Sequence, residues 1–353
     1  MDSTKVVVTK ETKNRISVDY EGKLSFKERL MKKLKTSNTW IKVIVNIFRF
    51  ILMLGISFVI LFPFVSKIAG SFMSLNDVRD ATVSLIPREP TLDIYYYMIV
   101  DNRYFEALGN TVLLSLSVAL IQTFVSCLIG YGLAKFKFKG NNLVFILVIV
   151  VMLIPHTALE QAMIMYFQQF DLLVPLSLDQ SLPGIIELIA GGRIDITDGF
   201  APYIIMSLGG LAFKNGLYIY LMRQFFKGVP DELEESAYVD GSGTFRTFLQ
   251  IIIPLSVPMM ITIFLFSFSW QWTDIFYTDI YFSSANAPLL LSQIHEEVPL
   301  HIKNALEGTG GYDVYKNVIS NTAGIMIIMP LVIMYLFCQR YLVQGIERSG
   351  LVG

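Results

Sequence analysis

Five carboxylates, Asp231, Glu232, Glu234, Glu235 and Asp240, crowd into the stretch PDELEESAYVDGSGTFRTFLQIIIPL at residues 230–255. Acid–base or metal chemistry would need such groups opposed across a site with a partner. Here they gather where a helix begins. Pro230 suits a first helical position, since its absent N–H would be unpaired there, and acids complement the positive end of the helix dipole. A helix over 231–239 is therefore expected, with the carboxylates as helix-end charges. The run Asp240, Gly241, Ser242, Gly243 then supplies a bend, because glycine accepts backbone angles closed to other residues. Beyond it Phe245, Phe248, Leu249 and Ile252 recur at helical spacing, which places one apolar face on a second short helix that Pro254 closes. Small residues at Ser236 and Ala237 permit close approach. The segment reads either as a docking knob or as an ordinary connector between helices.

The elements that position this segment are membrane spans. Hydrophobic residues make up 54% of the 353 and charged residues 16%, outside the range of soluble domains. Six windows, at about 43–65, 110–133, 143–167, 202–221, 256–278 and 319–341, approach or exceed the roughly 20 helical residues needed to cross a bilayer. Unpaired backbone groups cannot face lipid, so each is expected to be a helix. A barrel would show alternating strands of about ten residues. The expected class is an all-α membrane protein of six transmembrane helices. Cys127 and Cys338 both fall inside spans, where packing is their expected role, and no cysteine framework or metal site follows from them.

Lysine and arginine set the expected orientation. Nineteen of the 28 fall before span one, between two and three, between four and five, or at the end of six, and seven fall in the other loops. That bias places both termini, and the acidic segment, in the cytoplasm. Residues 1–42 then form a cytoplasmic tail, 43–341 the transmembrane domain and 342–353 a second tail. The first tail is too long for a signal peptide and is expected to stay on the chain. A short amphipathic helix at about 25–34, with Phe26, Leu30 and Met31, would lie on anionic lipid; no nucleic-acid role is needed. Outside, loops at 69–109, 168–201 and 283–318 offer docking sites for a soluble protein or serve as caps. The tyrosine run Tyr95, Tyr96, Tyr97 suits the membrane rim, and a short helix is expected at about 185–190.

Polar residues inside the spans are the next candidates, since charge in hydrocarbon usually faces a cavity or partner. Lys214 and Asn215 fall about midway along span four, lining a path or pairing with a partner subunit. In span three, Pro155 should kink the helix, and His156 and Glu160 share a face beside it. They form either a hydrogen-bonded pair or part of a gate. In span five, Trp270, Gln271, Trp272 and Asp274 reach the outer half of the membrane. The tryptophans serve there as belt or packing, or else line a pocket beside the polar pair.

Glu235, Ala237 and Gly241, followed by Ile251, Ile253 and Pro254, resemble the signature loop of ATP-binding-cassette importer permeases, written Glu-Ala-Ala, three residues, Gly, nine residues, Ile-x-Leu-Pro. Ser236 replaces its second alanine and Ile253 its leucine. The stretch from Asn110 through Ala134–Lys135 to Gly140, the segment WQWTDIF and the ending QRYLVQGIERSG resemble carbohydrate-type members, nearest the smaller maltose-type permease. The long N-terminus, the 168–201 excursion and the ending ERSGLVG depart from that pattern.

The resemblance implies a type I importer permease fold in the bacterial cell membrane, and one half of a pore. A second homologous permease would complete the pore, and an extracellular or periplasmic solute-binding protein would deliver a sugar. A partner ATPase dimer would hold ATP and Mg and receive the loop of Glu234, Glu235, Ser236, Ala237, Asp240, Gly241 and Pro254. No cofactor is expected on this chain, which lacks a G-x-x-x-x-G-K-[ST] loop. No G-x-S-x-G or H-E-x-x-H motif points to catalysis. The rivals are an ion-coupled secondary transporter, which predicts inverted repeats and gives the acidic loop no task, and an importer of a non-sugar solute.

Overall fold

The computed structural model describes residues 8–11, 17–20, 37–80, 82–171, 192, 194–284, 287–294, 302–304 and 311–348. They divide into two compact units, Met1–Ser66 and Lys67–Gly353. The first holds an antiparallel hairpin of β1 (Val8–Glu11) and β2 (Ser17–Tyr20), with Val8 opposite Tyr20 and Glu11 opposite Ser17. An all-α reading did not anticipate it. Its Val, Thr and Tyr side chains suit a pleated surface, a signal too short to stand out in a polar tail. The surface helix expected at 25–34 lies outside the described residues. Most of α1 (Ser37–Gly70) also belongs to this unit and runs past its predicted span at both ends.

The second unit is helical. Short α2 (Leu75–Arg79) and α3 (Asp93–Val100) precede the 32-residue α4 (Tyr104–Lys135). Then come α5 (Asn141–Leu153), α6 (Glu160–Gln168), α7 (Ala201–Leu208) and α8 (Asn215–Lys227). After α9 (Glu232–Val239) and α10 (Thr244–Thr247) run α11 (Ile253–Trp272), α12 (Phe276–Tyr281) and α13 (Gly311–Arg348). In the segment before α4, Tyr95 turns inward, sharing a hydrogen bond with the Ser71 hydroxyl at 2.7 Å, while Tyr96 is exposed.

Helix α4 is the post around which the unit is built. Ala119 joins Met98, Trp272 and Ile319 in one apolar cluster. Cys127 and Tyr131 join Tyr218, Met222 and Ile252 in a second, and Leu114 and Val118 join Tyr203, Met206 and Tyr277 in a third. Small residues along α4 let neighbours close in, as is usual where helices cannot be driven together by water. The tightest approach is at Gly130, where a Cβ would stand 2.6 Å from Met222 Cβ and 3.0 Å from the Arg223 amide nitrogen. Cys127 packs as expected, and both cysteines are free.

Among the described residues four helical runs are long and apolar enough to cross a membrane, Ile41–Gly70, Tyr104–Lys135, Thr244–Trp272 and Tyr312–Leu342. A fifth crossing forms if the pair Asn141–Leu153 and His156–Gln168, bent by 93°, is one span. The expected continuous span at 202–221 is instead two helices of 8 and 13 residues. Gly210 takes φ +70° and the Leu211 N–H donates to Met206 O at 2.9 Å, a glycine-closed helix end. The chain restarts only at Asn215, after Lys214 at φ +63°.

The segment after the acidic loop also differs from expectation. Pro254 does not close a helix, because Thr244–Trp272 runs through it. A π-helical turn at Phe248–Ile252, in which the Ile253 N–H bonds Phe248 O, opens the backbone where a proline ring would otherwise crowd a carbonyl. The wider turn also breaks the expected apolar face. Phe248 and Ile252 are buried while Phe245 is 73% exposed.

Filling the α4–α8 crossing tests this packing. Gly130→Leu should destabilise the fold by about 1–3 kcal/mol, read as a lowered midpoint in thermal unfolding of the purified protein, whereas Gly132→Ala, with nothing within 4 Å, should not.

Candidate functional site

The acidic segment forms a knob seated on the end of α4. Asp231, the N-cap of α9, is preceded by Pro230, so the proline stands outside the helix rather than at its first position. Glu234 and Ala237 face inward, and Glu235, Ser236, Asp240 and Gly241 lie on the exposed side. Gly241 takes φ +81°, and the N–H groups of Gly241 and Ser242 close the helix on Tyr238 O and Ala237 O. Thr247 Oγ1 reaches Ser242 Oγ at 3.2 Å, tying the bend to α10.

Lys135 holds the knob in place. Its side chain is 7% exposed, and its ammonium donates to Asp231 Oδ1 at 2.5 Å and to Val229 O at 2.6 Å, with Glu234 Oε1 at 3.6 Å. The Tyr131 hydroxyl donates to Glu234 Oε2 at 3.1 Å. A buried ammonium needs such partners, and all of them come from residues 229–234. The bonded Lys135 ammonium holds the Asp231 carboxyl below its ordinary value. In the sequence Lys135 stood out only as part of the alanine–lysine pair; its link to the acids spans about a hundred residues and leaves no local signal.

The intramembrane candidates meet at a second place. Lys214 Nζ lies 5.0 Å from the Trp270 ring centroid and 4.8 Å from that of Phe213. A cavity of about 10 Å³, room for roughly one water, is bounded by Gln122, Phe213, Ser267, Trp270, Gln271, Asp274 and Tyr277. Tyr203 donates its hydroxyl proton to Asp274 Oδ2 at 2.9 Å, and Asp274 accepts from the Tyr277 and Thr278 N–H groups that begin α12. Trp272 turns the other way, buried with its Nε1–H on Ile327 O at 2.9 Å. Asn215 is fully buried beside the break, its amide atoms without hydrogen-bond partners.

Pro155 bends the chain as expected, with His156–Leu159 as a 3-10 turn. His156 and Glu160 do not pair, because that turn replaces the regular helix that would have stacked them. His156 Nδ1 hydrogen-bonds the Tyr277 hydroxyl and its ring meets Phe213 edge-on. Glu160 lines a separate cavity of about 480 Å³ with Asp195, Asp198 and Asp279. Gln122 and Ser267, joined by a 2.6 Å hydrogen bond, and Phe213, Tyr203 and Tyr277 were not singled out from sequence. The outward aromatic spacing of Phe276 and Tyr277 beside Asp274 was the available sign.

A bundle of apolar helices carrying a glycine-hinged knob is the framework of a multi-pass membrane protein. Residues 126–348 match the family described as binding-protein-dependent transport system inner membrane component, and the chain belongs to that family, that of ATP-binding-cassette transporter permeases. It is a multi-pass protein of the bacterial inner membrane. It is similar to the arabinooligosaccharides transport system permease protein AraQ of Bacillus subtilis, 27% identical over 303 residues, 84% of this chain and 92% of that one. The probable starch degradation products transport system permease protein AmyC of Thermoanaerobacterium thermosulfurigenes is 26% identical over 284 residues, 80% of this chain and 89% of that one. Among solved structures, a chain of a bacterial ABC transporter involved in the import of the acidic polysaccharide alginate shares the fold. Its TM-score is 0.64 at 20% identity, covering 87% of this chain and 98% of that chain.

Two measurements test the seat of the knob. Lys135→Met leaves Glu234 without its cation and should loosen α9 by on the order of 2 kcal/mol, read as faster amide hydrogen exchange across Glu232–Val239. Because the Asp231 carboxyl is held low, its contribution is complete above the ordinary aspartate value, about 3.9, and is lost as pH falls through the lower folded value. Exchange in α9, corrected for its intrinsic pH dependence, should therefore stay constant from pH 8 to 5 and rise only below about pH 4.

Proposed function

We propose that this chain is one permease subunit of an ATP-driven importer of a sugar or oligosaccharide. It works with a second, related permease, an ATPase dimer that carries the ATP and magnesium, and an extracellular solute-binding protein. It is not itself an enzyme and binds no cofactor. The sugar assignment rests on relatives named for arabinooligosaccharides and starch products. The observation that carries the coupling role is the knob's attachment through Lys135 to α4, the helix that also brings Gln122 to the Trp270 cavity.

In this reading the permease domain at 43–341 crosses six times, between cytoplasmic tails at 1–42 and 342–353. The broken pairs at Pro155 and at 209–214 each count as one span. Both termini and the knob are cytoplasmic, in keeping with the lysine and arginine bias. Glu235, Ser236, Asp240 and Gly241 present the exposed face to the ATPase, while Glu234 and Pro254 set the knob's seat and its joint to α11. Closure of the ATPase dimer moves the knob, and Lys135 passes that motion to α4.

Lys214, Trp270, Gln271 and Asp274 face the transport path. Asn215 and Trp272 are packed away and hold the backbone that presents them. A sugar needs an apolar ring face and hydrogen-bonding groups together, and this cluster offers both once the cavity opens. The Pro155 bend, linked to the cavity by His156 and Tyr277, is the element that opens it. An ion-coupled transporter would leave the knob without a task.

Gly241→Asp forces a side chain into φ +81°, and Glu235→Arg reverses the charge on the exposed face. In the assembled transporter either change should abolish uptake and the stimulation of ATP hydrolysis by loaded binding protein, with normal amounts of protein in the membrane. Undiminished uptake in both variants would overturn the coupling assignment.

A further inference from the structure

A cavity of about 380 Å³ opens between the end of α4, the start of α5 and the last turn of α8. Lys137, Arg223 and Lys227 line it, and no carboxylate does. Arg223 is only 6% exposed, yet its Nε has no hydrogen-bond partner and no carboxylate pairs with it among the described residues. Its guanidinium sits over the Phe145 ring, with Cζ 3.6 Å from the ring centroid. Leaving the Nε–H buried and unsatisfied is costly, and a planar guanidinium beside a cavity suits a phosphate.

The N-terminus of the 13-residue α5 enters the same cavity. It has no side-chain cap and no acid in its first turn; the Asn141 N–H is taken by Phe138 O at 3.2 Å, and the positive end of the helix still favours an anion. Asn141 spends its amide N–H groups on Leu133 O and Phe136 O, at 3.3 and 2.8 Å, which ties the start of α5 to the end of α4. Lys137 also feels Asp231, so Arg223 and Lys227 carry the unshared charge. From the cavity, the exposed side chains Leu143, Ile146 and Leu147 continue along α5 as an apolar strip. A free phosphate has no use for such a strip, but acyl chains do.

We propose that this cavity binds the phosphodiester of an anionic glycerophospholipid from the cytoplasmic leaflet. Arg223 and Lys227 hold the phosphate. The leaflet rests on the orientation in the proposed function. Leu133 and Ala134, next to the Lys135 seat, also line the cavity, so a bound lipid braces the end of α4 that carries the knob.

The assembled transporter in nanodiscs of mixed phosphatidylglycerol and phosphatidylcholine, with retained lipids counted by native mass spectrometry, tests this. The wild type should retain phosphatidylglycerol preferentially. Lys227→Gln should cut that retention about fivefold, and with Lys137→Gln about thirtyfold; Arg223→Lys should weaken it while keeping the charge. Lys316→Gln, remote from the cavity, and Gly241→Asp, which uncouples the ATPase, should leave it unchanged. Equal retention of the two lipids, wild-type retention in the Lys227 and Arg223 variants, or displacement by millimolar inorganic phosphate would overturn the lipid site. A Lys139→Cys chain with Cys127→Ala and Cys338→Ala should react with an impermeant thiol reagent only from the cytoplasmic side. Reaction from outside would overturn the leaflet and the orientation, but not retention itself.

Discussion

The Lys135 ammonium is the interaction on which the knob end of this protein depends. A nearly enclosed cation is stable only when its donors are all answered, and here Val229 O, Asp231 and Glu234 answer them. Val229 follows directly on α8, so the knob can reach Lys135 only if α8 lies against α4 in one register. Gly130 sets that register by letting Met222 and the Arg223 backbone approach where any side chain would collide. The glycine, the helix crossing and the ion pair thus form one chain of dependence from packing to the site.

The departures from regular helix fall where motion would be useful. Lipid tolerates irregular backbone only if it is buried or lines a cavity. The bend after Leu153 and the interruption at 209–214 both border the Trp270 and Asp274 cavity, through His156 and Lys214 respectively. The π-helical turn sits instead at the joint between knob and α11. A rigid rod would transmit displacement without changing the pore. Under the proposed coupling, helices broken beside the cavity and continuous at the knob would convert that displacement into rearrangement at the cavity.

The sequence made the helical membrane class legible because apolar content and length suffice to establish it. It also located the glycine bend correctly, since only Gly241 suits φ +81°. It failed where a local rule competed with packing. Pro254 reads as a stop, but the π-helical turn absorbs it. The apolar run at 202–221 reads as one span, although the pair Gly209–Gly210 carried the signal for a break. The spacing of His156 and Glu160 predicts a shared face only if the helix persists past Pro155, and it does not. The contacts that assemble both sites, Lys135 to Asp231, Ser267 to Gln122 and Tyr203 to Asp274, join residues that are remote in sequence, so no window could show them.

Two basic groups near the knob meet different fates for a physical reason. Lys135 points at the carboxylates of α9, and its compact ammonium can serve a carbonyl and two acids at once. Arg223 faces α5, which offers an aromatic ring and uncapped N–H groups but no acid. A lysine ammonium has no planar face to lay on that ring, whereas a guanidinium can gain from the Phe145 face while keeping its edge donors free. The ion pair fixes the knob from within the protein, while the stacked arginine leaves a positive site open beside it. The end of α4 is therefore bordered on one side by a satisfied charge and on the other by an unsatisfied one, and a ligand for the second would stiffen the lever formed by the first.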